Sequence, residues 1–130
     1  MSQFGVQIHR KSVRKHSGNG KIKIKARDKQ RNEIGGYFAA TKLGEKDAIS
    51  VERGRGGSAK NRLRYASNAN VLTKQGYKKA KIKSIVESPD NRNFARLNII
   101  TKGTIIDTEL GKAVVTNRPG REGSINAKLI

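Results

Sequence analysis

Between residues 53 and 64 the chain reads Arg53-Gly54-Arg55-Gly56-Gly57-Ser58-Ala59-Lys60-Asn61-Arg62-Leu63-Arg64, five cations and three glycines in twelve residues. Glycine lets a backbone approach a phosphate chain closely, and each guanidinium can grip phosphate oxygens through two parallel hydrogen bonds. The chemistry on offer is binding to a phosphodiester backbone. It is not the nucleotide cradle of a P-loop, because no Gly-Lys-Ser/Thr follows the glycines.

Catalysis has little to work with: ten acidic residues, two histidines and no cysteine. His9 and His16 sit among cations with no carboxylate near in sequence to orient them, which favours phosphate or solvent contact over general-base chemistry. Asp107 and Glu109, two residues apart, would share a strand face at a hairpin. A paired-carboxylate acid–base or metal site is conceivable there, but balancing Lys102 and Lys112 is the simpler role. No enzyme activity, metal site, cofactor or small-molecule substrate is expected.

The setting of these residues is strongly basic, with a net charge of +19 over 130 residues. The excess divides almost evenly, +9 over residues 1–44 and +10 over 45–130. Self-repulsion of that size opposes compaction unless a polyanion neutralises it, and nucleic acid is the obvious one. The absence of cysteine excludes disulfides and thiolate metal sites. No apolar run approaches a membrane span and the N-terminus carries no signal-peptide pattern, so a soluble intracellular protein is expected.

Residues 1–43 are expected to be a basic extended arm that orders on RNA, and 44–130 a folded domain. The arm offers Arg10, Lys11, Arg14 and Lys15 before Ser17-Gly18-Asn19-Gly20, a flexible joint. It then offers Lys21, Lys23, Lys25 and Arg27, which alternate with Ile22, Ile24 and Ala26. The core is expected in residues 97–116, where β-branched runs are separated by Lys102-Gly103 and by Glu109-Leu110-Gly111: strand, turn, strand, turn, strand.

Earlier strands are expected at 47–53 and 62–73, with Tyr65 and Phe94 in the core, and another from Tyr77, with Ala80, Ile82 and Val86 inward. On that last strand the outward Lys79, Lys81 and Lys83 suit phosphate contact and ordinary solvation equally. Ser88-Pro89 predicts a one-turn helix capped by Ser88. A turn carrying Arg118 and Arg121 precedes a last strand, Ser124 to Ile130. The sum is a mainly β fold, a small antiparallel β-barrel of about six short strands with a long basic N-terminal extension. With only six aromatic residues, scattered along the chain, backbone and shape recognition of folded RNA is favoured over base stacking.

The run from Asn98 to Ala113, its continuation Val114-Val115-Thr116-Asn117-Arg118-Pro119-Gly120 and the ending Asn126-Ala127-Lys128-Leu129-Ile130 closely resemble the archaeal and eukaryotic small-subunit ribosomal protein eight of the e type. Arg53-Gly54-Arg55-Gly56-Gly57, the segment Lys60 to Arg64, and Asn91-Arg92-Asn93-Phe94 are similar to that family as well. The ending at Ile130 resembles the compact archaeal form, whereas Ser17-Gly18-Asn19-Gly20 departs from the family's Thr/Ser-Gly-Gly.

The resemblance implies a structural, cytoplasmic protein of the small ribosomal subunit. Its partners would be small-subunit ribosomal RNA and neighbouring small-subunit proteins, with no membrane. The residues expected to meet RNA phosphates are the eight arm cations named above, Arg53, Arg55, Lys60, Arg62, Arg64, Arg118 and Arg121. The alternative is a free RNA chaperone or nucleoid-type nucleic-acid-binding protein, which would bind duplex DNA about as well and would not co-sediment with ribosomes. A nuclease or RNA-modifying protein using Asp107 and Glu109 is the enzymatic rival.

Overall fold

The structure is a computed structural model that describes residues 14–15, 18–22, 24, 27, 30 and 36–130. The chain divides into two compact units, Met1–Phe38 and Ala39–Ile130. Among the described residues there are eight strands: β1 (Lys42–Leu43), β2 (Ala48–Arg53), β3 (Ala59–Ala66), β4 (Asn68–Thr73), β5 (Gly76–Glu87), β6 (Ile105–Thr108), β7 (Gly111–Val115) and β8 (Asn126–Leu129). Two short helices, α1 (Arg92–Arg96) and α2 (Pro119–Glu122), follow β5 and β7, and a 3-10 turn occupies Arg55–Gly57.

In the larger unit, β4 to β8 form a closed barrel in which each strand pairs with the next and β4 meets β8. Neighbours in sequence run antiparallel, whereas the closing β4–β8 pair is parallel. An odd number of alternating strands forces this, because the first and fifth point the same way. The interior follows from period-two alternation. Ala69 and Val71, Ala80 and Ile82, Ile106 and Thr108, Ala113 and Val115, and Ala127 are all buried. A five-stranded barrel leaves little room inside, and alternating alanine with β-branched residues fills it. Ile100 and Ile125 complete the same cluster.

β1, β3 and β2 form a separate three-stranded sheet, β1 parallel and β2 antiparallel to the central β3. Leu63 and Ala66 of β3 reach the barrel core. The strap 41–44 ties sheet to barrel. The Thr41 hydroxyl donates to the Leu63 carbonyl at 2.7 Å, and the Ile100 amide donates to Thr41 at 2.8 Å. The Leu43 amide donates to Asn98 and that of Gly44 to Ala66, both at 3.0 Å.

The expected mainly β barrel is present; the strand count and the pairing differ. The stretch 62–73 is two strands of different sheets, β3 and β4, with only Ser67 between them. The expected first strand of the central stretch shrinks to one bridge, Lys42 with Ile99. Asn98, at φ +54°, makes a turn instead. The two later strands form as β6 and β7, joined at Glu109-Leu110 with Gly111 at φ +122°.

Helix α1 is capped by Asn91, whose side-chain oxygen accepts from the Asn93 amide at 2.9 Å. Ser88 follows the end of β5 instead, buried 3.5 Å from the Thr104 hydroxyl. Asparagine serves an N-cap as well as serine. Bulges in β5 at the Ile82/Ser84 and Ile85/Glu87 steps shift the alternation, so that Ile85 packs on the core and Val86 is exposed. Tyr65 lies over Gly44 with half its surface exposed, and is not core.

Candidate nucleic-acid interface

The Gly-Arg segment is the tip of the β2–β3 hairpin. The Gly54 amide donates to the Ser58 carbonyl at 2.6 Å, and the Ser58 hydroxyl donates to the Arg55 carbonyl at 3.1 Å. Between them Gly56 and Gly57 have φ of +72° and +75°, where a side chain is strained. A Cβ at either would meet open space, so these glycines serve the turn and leave its backbone uncovered. Arg55 projects within the tip, and Arg53 and Lys60 flank it, all three exposed.

Register sorts the remaining cations of the hairpin. Lys60, Arg62 and Arg64 share one face of β3, with Glu52 opposite Lys60 and Ser50 opposite Arg62. The Arg62 guanidinium meets the Glu52 carboxylate at 2.6 Å, both half-buried, so its charge is already matched within the protein. Arg64 is half-buried beside it on β3.

Helix α2 packs on β3 from the other side. A Cβ at Gly123 would stand 3.0 Å from that of Asn61, which faces away from Arg62 by alternation. Arg118 caps the helix and Arg121 lies within it, both exposed. Glu122 turns back to accept from the Asn117 side chain at 3.0 Å and from the Arg118 amide at 3.3 Å. Asn117 in turn accepts from the Asn126 amide at 2.9 Å, which fixes the turn against β8.

In the smaller unit, Arg14 bridges Ile22, and the Lys15 amide donates to the Lys21 carbonyl at 3.0 Å. Gly18 and Gly20, with Asn19 accepting from the Lys21 amide at 3.1 Å, make a turn within the expected joint. Arg14, Lys15, Lys21 and Arg27 are exposed. Arg10, Lys11, Lys23, Lys25, His9 and His16 lie outside the described residues.

The two carboxylates weighed for catalysis sit apart in role. Asp107 of β6 is the register partner of Lys112, and Glu109 lies in the hairpin turn, its amide donating to the Lys81 carbonyl at 3.2 Å. Among the described residues no group of three or more His, Cys, Asp or Glu could hold a metal ion, and no helix is long and apolar enough to cross a membrane.

Asp47, just before β2, is the acid with the most perturbed setting. Burial raises its pKa, but hydrogen bonds from the Ser67 amide at 2.6 Å and from the Asn68 side chain and amide, helped by the charge of Lys79, hold it below the usual carboxylate range.

Comparison with known proteins points one way. The family model described as ribosomal protein S8e matches residues 9–130. The small ribosomal subunit protein eS8 of Sulfolobus acidocaldarius is 50% identical over 123 residues, covering 88% of this chain and 96% of that protein. That of Sulfurisphaera tokodaii is 52% identical, covering 85% and 88%, and that of Pyrobaculum aerophilum 50% identical, covering 91% of each.

Proposed function

Because the chain belongs to the ribosomal protein S8e family, we propose that it is a structural constituent of the small ribosomal subunit, and hence cytoplasmic, that holds small-subunit rRNA by its phosphate backbone. The observation that carries the contact is the β2–β3 tip. Arg53, Arg55 and Lys60 stand exposed around an uncovered glycine turn, while Glu52, on the strand beside them, is taken by Arg62.

The mechanism is neutralisation with counterion release. Each cation that meets a phosphate frees condensed ions, and the glycines allow the RNA backbone to come close. Arg118 and Arg121 extend the cationic surface from the opposite face of β3. Arg10, Lys11, Arg14, Lys15, Lys21, Lys23, Lys25 and Arg27 add contacts from the arm that precedes the folded domain. Neighbouring small-subunit proteins are the other partners. A free RNA chaperone or nucleoid protein would share the charge logic, but the relatives favour the ribosomal reading.

Sucrose-gradient sedimentation of native lysate tests it, with the chain followed by mass spectrometry. Stoichiometric presence in the small-subunit peak after a moderate salt wash is expected. Absence from that peak refutes the proposal.

A further inference from the structure

The parallel closure of the barrel brings together polar residues that lie far apart in the sequence. Asn70 of β4 is opposite Lys79 of β5 on one side and Asn126 of β8 on the other. One pleat along, Leu72 lies between Tyr77 and Lys128; one pleat back, Asn68 is opposite Lys81. The alternate residues Val71, Ala69, Ala80 and Ala127 are in the core, so these rows occupy the outer face. The Asn70 side-chain amide donates to the Asn126 oxygen at 3.2 Å across 56 residues of sequence, setting two amides side by side. That bond uses only part of their donor and acceptor capacity.

The result is a strip of amides with lysines along its β5 border and one more, Lys128, at its Leu72 end. Lys79 and Lys81 stand about 7 Å apart along β5, followed by Lys83 at the bulge, and Lys128 is two strands away. Two carboxylates lie at its edges. Asp47 is held by Ser67 and Asn68, and Glu109 sits beyond Lys81. They bound the strip at the end away from Tyr77 and Lys128.

We infer that this β8–β4–β5 face docks on the minor groove of double-stranded RNA, Asn70 and Asn126 hydrogen-bonding 2′-hydroxyls and base edges while Lys79, Lys81 and Lys128 meet the flanking phosphates. An A-form minor groove is wide and shallow and lined with 2′-hydroxyls, which donate and accept as amides do. A B-DNA minor groove must be deformed before it admits a sheet face, and it lacks those hydroxyls. Single strands need several stacking rings, and this face carries one aromatic side chain, Tyr77, exposed at 69%. The inference rests on the proposed RNA-binding function and adds to it the form of RNA recognised by a second surface.

The test uses the full chain with a short RNA hairpin duplex, the DNA duplex of the same sequence and the unpaired RNA strand, read by fluorescence anisotropy. Wild type should prefer the RNA duplex to DNA by about tenfold, the size of a pair of net hydrogen bonds. Asn70→Ala with Asn126→Ala should abolish that preference and leave the salt dependence unchanged. Lys79→Gln, Lys81→Gln and Lys128→Gln together should reduce the salt dependence and keep the preference. Because the amide bond helps close the barrel, the lysine variant serves as the second test if the asparagine variant melts early. A wild type that binds RNA duplex and DNA duplex equally overturns the inference, as does an unchanged preference in a folded asparagine variant. Wild type that binds no RNA in any form overturns the underlying function as well, which separates the two failures.

Discussion

Replacing Arg53, Arg55 and Lys60 together with glutamine removes the exposed charge of the β2–β3 tip and leaves its turn intact. Gly54, Gly56 and Gly57 set that backbone, and none of the three changed side chains takes part in the Gly54–Ser58 closure. The effect can be sized by counting phosphates. Each neutralised phosphate contributes about 0.7 to the log–log salt slope on single strands and about 0.9 on a duplex. Three lost contacts should therefore flatten the slope by about 2 to 2.7. Between about 50 and 200 mM salt, wild-type affinity for a small-subunit rRNA fragment should fall about 20- to 40-fold further than the variant's.

Arg62→Gln is the internal control. Its guanidinium is matched by Glu52 at 2.6 Å, so the salt slope should barely move while thermal stability drops by about 1 kcal/mol. Anisotropy titrations across a salt series give the slopes, and calorimetry gives the stabilities. A triple variant with the wild-type slope would remove the tip from the interface. A large slope change in Arg62→Gln would show that its ion pair opens on RNA.

Three further perturbations test the frame behind the interface. Ile106→Ala, at a side chain with no exposed surface in the barrel core, should cost about 3–4 kcal/mol in urea unfolding; a loss below about 1 kcal/mol would contradict the packing. Asn98→Val should cost about 1–2 kcal/mol because a β-branched residue is forced to positive φ, whereas Asn98→Gly should be neutral, both read by melting temperature. Asp47 has a folded pKa below its unfolded value, so its stabilisation is present above about pH 4 and is lost as pH falls through the folded pKa. Asp47→Asn should therefore be less stable than wild type at neutral pH, and the gap should narrow in thermal melts as the pH is lowered from about 4.

Local signals predicted what local forces decide. The β-branched pairs at Ile105-Ile106 and Val114-Val115 became adjacent strands because the turn residues between them permit a tight hairpin. The glycines of 54–57 became a hairpin tip because two of them adopt positive φ. Where two local solutions competed, sequence alone could not choose. Ser88 and Asn91 are both good caps; the length of β5, which runs to Glu87, decided for Asn91. The end of α1 carries a local signal of its own. Asn98 is the left-handed residue of a paired cap, its amide bonded to Ala95 and that of Ile99 to Phe94. A strand was expected there because Ile99 and Ile100 are β-branched, and the cap took precedence.

The remaining differences come from pairing between distant segments, and one of them bears on function. Whether β8 closes on β4 in parallel depends on the number of strands in the ring, which no window of sequence contains. Reading 62–73 as one strand hides the boundary at Ser67, and with it the change of sheet that makes the barrel five-stranded. Once the count is five, the closing pair must be parallel. Its register then sets Asn126 beside Asn70 and Lys128 beside Leu72, at the border of the β5 lysines. In sequence, Lys79, Lys81 and Lys83 suited solvent and phosphate equally well. An adjacent amide pair, with a further cation at its Leu72 end, favours RNA, because solvation alone has no need of an ordered donor–acceptor strip beside a row of lysines.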